Sequence, residues 1–491
     1  VSWLKSANVW LVVIFGIMSC FIVIQSVEHP DGYLTSDSAH YLQMAENLLA
    51  GDGMETASYV PDISTYFATW PIGYPVLIAG VSLVTFSDVF WASKILNIIL
   101  LALSLLLIRL LFKDKAPFVA LIFFVSTFTT LFSYTWSEVP FLFGLLWLVY
   151  SIVRYVETNR IGFAWQMLFA ATFLFFMRYI GLIGAGIIGL VGFYFLFRKQ
   201  WKNMLICWIA GTIPIVIAGV YLVLNHLNTG LMTGMERIPR AETASEFVTM
   251  LWRGILAEVN VLATSSQVYI NESLILLVVA LLLFIRPRHI KALFTLDKEK
   301  WLLPGMFLLV GIVYFTAIVY MRWGAHFDPF NYRLLGPATF MAWLFLASWF
   351  AQTNGDGWKR WRLFLFVVLG VALVMNVGYR TYTSVLSPSP DYADTKNKVT
   401  ALYEEVPEES IVAFENIHAR YLRTDLQFIK VHFQPYFATK ETVDEFLERV
   451  TPNNAAGVYL ENHPIREDRY HESFVELIDA NKDDGNFIQI D

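Results

Sequence analysis

The sequence predicts an all-α polytopic membrane protein of about eleven transmembrane helices, followed by a small α/β domain outside the membrane. Three observations carry this. Of the 491 residues 56% are apolar and only 15% are charged, a balance that no soluble domain of this size needs. The apolar residues gather into stretches such as 91–112, 204–224, 302–321 and 361–379, each long enough to cross a hydrocarbon layer of roughly 30 Å as a helix. The character of the chain then changes after residue 380, where Pro388 and Pro390 act as a linker and shorter runs follow. Lipid offers backbone groups no partner, so the apolar stretches must be helical.

The first span, 8–27, has no small-residue cleavage site and reads as an uncleaved anchor. Spans are expected next at 91–112, 116–134, 138–156, 163–178 and 180–197, then at 204–224, 270–286, 302–321, 334–352 and 361–379. The apolar run 74–86 is too short to cross and is expected as an interfacial or re-entrant helix. Cys20 and Cys207 fall inside spans and read as small packing residues, with neither a disulfide framework nor a metal knuckle.

Orientation follows from Lys and Arg, which concentrate in short cytoplasmic loops. Basic groups such as Lys113 and Lys115, Arg198 to Lys202, Arg286 to Lys300 and Lys359 to Arg362 then face the cytoplasm with the N-terminus. The other side holds fewer cations, among them Lys94, Arg178, Arg237, Arg240, Arg322 and Arg333. It also holds the long segments 28–73, 225–269 and 380 onward, so the outer face is where the protein is expected to work. Residues 1–379 are read as the membrane domain and 380–491 as the outer α/β domain, with strand-like runs Ser410–Phe414 and Ala456–Leu460 and a helix-like 440–449.

Several classes find no support. No basic stripe interleaves with aromatics, so the net charge of −6 suggests no nucleic-acid partner. There is no Walker loop, dinucleotide fingerprint or HExxH motif, and no internal repeat of the kind many transporters carry.

The first outer loop is the most informative stretch. Residues 28–71 hold Glu28, Asp31, Asp37, Glu46, Asp52, Glu55 and Asp62 without one Lys or Arg. Asp37, His40 and Tyr41 stand at i, i+3 and i+4, on one face if a helix has begun by residue 37. Asp37 reads either as the N-cap of that helix or as a carboxylate held facing the membrane surface. Glu138, in Tyr134-Thr135-Trp136-Ser137-Glu138-Val139-Pro140, either complements a helix dipole or faces a cavity at the hydrocarbon edge. Arg178, in Phe176-Met177-Arg178-Tyr179-Ile180-Gly181, either snorkels to headgroups or binds a phosphate. Arg237, Arg240, Arg322 and Arg333 are further outer cations, individually read as solvated or headgroup-facing. Together, outer carboxylates and arginines suit a reaction in which a base activates a nucleophile and cations stabilise a departing phosphate. Nucleotide sugars are cytoplasmic, so an activated donor on this side would be lipid-borne.

One span, an acidic loop with Ser36-Asp37-Ser38-Ala39-His40-Tyr41, then Trp70-Pro71-Ile72-Gly73-Tyr74-Pro75 and a span beginning near Ala92 form a familiar order. It resembles the GT-C superfamily of membrane glycosyltransferases, most closely the branch of protein O-mannosyltransferases and lipid A aminoarabinose transferases. The likeness runs through residues 8–200, is looser at Asn331-Tyr332-Arg333 and is absent from the tail. It departs at Ser38, where many relatives carry Glu. The resemblance implies a GT-C-like enzyme of a bacterial inner or cell membrane that moves a sugar, with inversion, from a polyprenyl-phosphate donor to a lipid, glycan or protein acceptor among membrane lipids. Asp37 matches the catalytic base and Glu138 the acid at the head of the fourth span. Arg178-Tyr179 looks like a family segment for the donor, with His40, Tyr41, Arg237, Tyr332 and Arg333 as further substrate contacts. No cofactor is required on this reading; a divalent metal would need the acidic loop, or His326 with Asp328. A lipid or glycan transporter and a non-catalytic binder of lipid-linked glycans are the alternatives.

Overall fold

The computed structural model describes residues 6–55, 66–234, 237, 239–262, 301–352, 363, 366–386, 390–408, 410–413, 417–429, 458–461 and 487–490. Helices dominate, as continuous apolar sequence requires: α1 (Ala7–Glu28), α2 (Ser36–Ala50), α3 (Gly73–Thr85) and α4 (Val89–Phe112) come first. Next are α5 (Ala116–Ala120), a 3₁₀ turn at Leu121–Phe124, α6 (Ser126–Ser133), α7 (Glu138–Thr158) and α8 (Ile161–Met177). A 3₁₀ turn at Tyr179–Leu182 leads to α9 (Ile183–Phe197), α10 (Trp201–Thr229) and α11 (Ala244–Val259). Then come α12 (Leu302–Gly324), α13 (Tyr332–Gln352) and α14 (Phe366–Leu386), the last with a π-helical stretch at Leu373–Tyr379.

Among the described residues seven helical stretches are long and apolar enough to cross a membrane: Ala7–Glu28, Val89–Phe124, Glu138–Thr158, Tyr179–Phe197, Trp201–Thr229, Leu302–Gly324 and Phe366–Leu386. The expected span 270–286 and the helix-like run 440–449 lie outside the described residues. The expected span 163–178 is the 17-residue α8, and the run 74–86 is the 13-residue α3. One expectation needs correcting. Residues 116–134 do not form a single span: Val125 is extended, at φ −61° and ψ 140°, and separates the 3₁₀ turn from α6. The break is satisfied by protein, since Asn376 donates to Phe124 O at 2.9 Å and Ser126 N–H donates to Val261 O at 3.1 Å. Every residue of α6 is buried, so this irregular backbone is covered by protein, the condition under which it is tolerated at membrane depth. Cys207 is buried as expected, but Cys20 is exposed on α1.

The chain forms two compact units: residues 1–25, 94–220 and 240–387, and residues 26–93, 221–239 and 388–491. In the first, α12 and α13 pack together, as do α7 and α8. In the second, α2 packs on α3, and α2 ends at Gly51, whose φ of 91° suits a residue without a Cβ. The tail adds α15 (Tyr392–Leu402), β1 (Ile411–Ala413), α16 (Ala419–Leu422), β2 (Gln427–Ile429), β3 (Val458–Glu461) and β4 (Phe487–Ile490). The strands are parallel in the order β2-β1-β3-β4, with Val412 level with both Phe428 and Tyr459. Val399, Tyr403, Val406, Val412, Leu426 and Phe428 bury one face of this small layer.

Candidate functional site

In the first unit three of the residues singled out by sequence meet. Glu138 is the first residue of α7, where an acid complements the helix dipole, yet it is 0% exposed. Its Oε1 accepts from Arg333 Nε at 2.6 Å and is also paired with Arg178 Nη1. Arg178 follows the last turn of α8 in extended backbone, its N–H still bonded to Leu174 O at 3.0 Å. The turn that aims it closes through Gly181, whose N–H donates to Arg178 O at 2.7 Å. A Cβ on Gly181 would collide with the Leu174 carbonyl, so only glycine fits there.

Arg333 lies in the first turn of α13, which Asn331 caps: its Oδ1 accepts from the N–H groups of Arg333 at 3.0 Å and Leu334 at 3.2 Å. The Arg333 guanidinium also sits 4.8 Å from the Trp136 ring centroid, and Trp136 is stacked on Tyr134 at 3.9 Å with Tyr332 at 6.1 Å. Asp328 reaches Arg333 at 3.7 Å from a more exposed position. The core of the cluster is one sealed carboxylate between two guanidiniums. Tyr179 is half-buried, its ring 5.9 Å from that of Phe175.

The loop that delivers Glu138 is held by residues that sequence reasoning did not single out. Lys94 was counted as an outer cation, but it is 0% exposed and its Nζ donates to Ser133 O at 2.7 Å. Asn97, one turn on, donates from Nδ2 to Phe132 O and Tyr134 O, each at 2.9 Å. These are the carbonyls that the end of α6 leaves without helical partners. A lone lysine inside an otherwise apolar span was the available signal. Glu258, also missed, is buried on α11 and accepts from Thr127 Oγ1 at 3.2 Å.

Arg322 needs a second correction, because it is not headgroup-facing: it is 1% exposed, paired with Glu242, and donates to Asp328 O at 3.2 Å and Ala325 O at 3.3 Å. The hydrogen bond from Arg322 holds the Glu242 carboxyl below the usual carboxylate range. His326 Nδ1 is 3.4 Å from the same carboxylate, and Arg240 stacks over Trp323 at 3.6 Å. Among the described residues no three of His, Cys, Asp and Glu gather as a metal site would require.

The second unit holds the acidic helix. Thr35, not Asp37, occupies the cap position of α2, and Asp37 lies in the first turn, partly exposed. The capping reading of Asp37 is thereby corrected: the helix begins two residues earlier than a cap at Asp37 would demand. Asp37, His40 and Tyr41 do share the helix as the spacing predicts, but His40 and Tyr41 are buried. The His40 ring is 5.1 Å from Trp70, and Tyr41 packs edge-on against Trp70 and against Tyr74 at 5.1 Å. The Trp70 to Pro75 segment thus acts as packing beneath α2. Arg237 is exposed.

No family model matches the sequence, and no curated protein matches it. Among solved structures, ArnT from Cupriavidus metallidurans in the apo state is similar at a TM-score of 0.55, with 14% identity over 91% of this chain and 90% of that one. ArnT from the same organism bound to undecaprenyl phosphate is similar at 0.52, with 13% identity over 85% of each chain. The Archaeoglobus fulgidus oligosaccharyltransferase tethered to an acceptor peptide is similar at 0.46, with 11% identity over 88% of this chain and 64% of that one. The likeness to ArnT shows a shared fold: the chain is a helical membrane protein of GT-C architecture.

Proposed function

We propose that this GT-C-fold membrane protein is a glycosyltransferase that moves a sugar from a polyprenyl-phosphate donor to an acceptor hydroxyl on the outer face of the membrane. The observation that carries the reading is the convergence of Glu138, Arg178 and Arg333. A sealed carboxylate between two guanidiniums fixes both cations, whose planar N–H forks suit a dianionic or monoanionic phosphate. ArnT from Cupriavidus metallidurans has been captured with undecaprenyl phosphate, and the shared fold supports the same ligand chemistry here. Glu138 is fully buried and already shared by two arginines, so on this reading it positions them.

Asp37 is the base. It takes the proton of the acceptor hydroxyl while that oxygen bonds to the anomeric carbon, and the bond from that carbon to the phosphate oxygen breaks. The lipid phosphate leaves with the electron pair, and configuration inverts. A lipid phosphate is a fair leaving group, so positioning, a base and cationic stabilisation suffice. Asp37 is partly exposed, in contrast to Glu138, which favours it as the carboxylate that meets an acceptor. Tyr179, Tyr332 and Arg237 are assigned to the substrates by the resemblance, and His40 and Tyr41 support Asp37 from below.

The N-terminus is cytoplasmic and residues 380–491 lie outside, from the distribution of Lys and Arg. Incubation of the purified chain with a radiolabelled polyprenyl-phosphate sugar and candidate acceptors tests the activity. Donor binding without any transfer, across lipid, glycan and protein acceptors, would defeat it. Cysteines placed at Asn203 and Ser389 test the topology: an impermeant reagent applied to intact cells should label only the second.

A further inference from the structure

We infer that Arg420 is a positioning residue for the transfer: from the α/β tail it locks His40 of α2 and so sets where Asp37, one helical turn earlier, stands. The inference rests on the reading of Asp37 as the base. Arg420 belongs to α16, a helix of four residues, and is 0% exposed. Its Nη1 is 3.3 Å from His40 Nδ1 and 3.5 Å from Gln43 Oε1, across 380 residues of chain. Its guanidinium carbon lies 5.6 Å from the Phe428 ring centroid.

Arginine stays charged in a protein and has no acceptor, so the N–H must donate to Nδ1. That bond fixes His40 in the tautomer with its proton on Nε2 and fixes the ring orientation. His40 and Gln43 stand three apart on one face of α2, so a single guanidinium grips that face at two points. The ring of Trp70 supports His40.

The neighbouring Arg423 shows what an arginine serving the tail alone does. It donates to Asp425 from Nε at 2.9 Å and from Nη2 at 2.7 Å, to Val406 O at 2.8 Å, and to Tyr403 O. All of its partners lie within the tail and include a counter-charge. Arg420 instead reaches His40 and Gln43, on the helix of the proposed base. A buried cation is a poor way to gain stability alone, since apolar residues fill such sites as well or better. What it supplies here is a fixed position for α2.

The test uses the full-length protein, with radiolabelled polyprenyl-phosphate sugar as donor. Arg420→Gln should lower kcat up to about 10²-fold with donor KM little changed, because misplacement of a base by about 1 Å has that effect. Arg420→Lys should recover part of the loss. In a His40→Ala background, Arg420→Gln should add little. Hydrogen exchange should quicken in peptides covering residues 36–50 of Arg420→Gln, with those covering 399–412 unchanged. Arg423→Gln serves as the control: any loss of stability should come without faster exchange in 36–50. Wild-type kcat in Arg420→Gln, losses that add independently to those of His40→Ala, or exchange that quickens equally throughout the tail would each overturn the inference. A wild-type chain that transfers no sugar defeats the reading of Asp37 and the catalytic half of the inference, while the exchange measurement still decides whether Arg420 holds α2.

Discussion

The two units place a buried charge against different elements. In the first, Glu138 is sealed between Arg178 and Arg333, so the buried anion is more than balanced by its neighbours. In the second, Arg420 is equally buried but its contacts on α2 are a neutral imidazole, at 3.3 Å, and an amide, at 3.5 Å. Burying an ion is tolerable when its partners replace the lost water, and counter-charge and fixed dipoles are two ways to do so. The ion-paired cluster has cations to offer a ligand. The arginine that reaches His40 and Gln43 has an orientation to impose on a helix. The difference separates groups proposed to bind substrate from groups proposed to place the base.

The largest effect that would sharpen this contrast comes from the base. Asp37→Asn keeps the shape of the side chain, and because Thr35 holds the cap position the helix start should survive. Transfer should fall by about 10²–10⁴, the usual worth of a positioned base. Near-normal turnover in a folded variant would remove Asp37 from the chemistry. Next comes Glu138→Gln, which removes the buried carboxylate that Arg178 and Arg333 share. Loss of one partner from a buried pair costs about 3–5 kcal/mol, so its melting temperature should drop well below that of Asp37→Asn. Equal melting temperatures for the two variants would show that the Glu138 cluster does not bear the load assigned to it.

Arg178→Ala should weaken donor binding by about 1.5–3 kcal/mol, the range for hydrogen bonds to charged groups. Arg178→Lys should recover only part, since the charge remains and the planar fork does not. Titration with the donor lipid measures both, and unchanged affinity in the alanine variant would reassign Arg178 to structure alone.

The smallest effect is a pH dependence in the second unit. His418, whose Nε2 lies 3.9 Å from Asp31 Oδ1, holds the Asp31 carboxyl below its usual range, with burial opposing. The folded value is the lower one, so the stabilisation is complete above the ordinary carboxylate pKa and fades as pH falls through the folded value. The melting-temperature advantage of wild type over Asp31→Asn should therefore shrink on acidification. A difference constant from neutral pH down through the carboxylate range would remove Asp31 from the balance.

The helical framework was legible where a long apolar run must become a helix, as at Ala7–Glu28 or Leu302–Gly324. It failed at 116–134, where the hydropathy is that of a span but Val125 breaks the helix and Asn376 takes the freed carbonyl of Phe124. Hydropathy reports that a segment avoids water; it does not say whether lipid or protein covers it. Arg322 was misread for the same reason. A cation at a span's end looks the same in sequence whether it snorkels outward or turns in to Glu242.

By itself the sequence determined the membrane class, an acidic helix near Asp37, and the separate candidacy of Glu138, Arg178 and Arg333, because periodicity, composition and short spacing are local properties. Only the tertiary structure decided that these last three form one cluster, that Lys94 and Asn97 fasten the loop before Glu138, and that Arg420 reaches back to His40. Such partners are separated by tens to hundreds of residues, and nothing in the local pattern of either one specifies the other. Their pairing follows from helix packing, which places polar groups where only another polar group of the same chain can replace water.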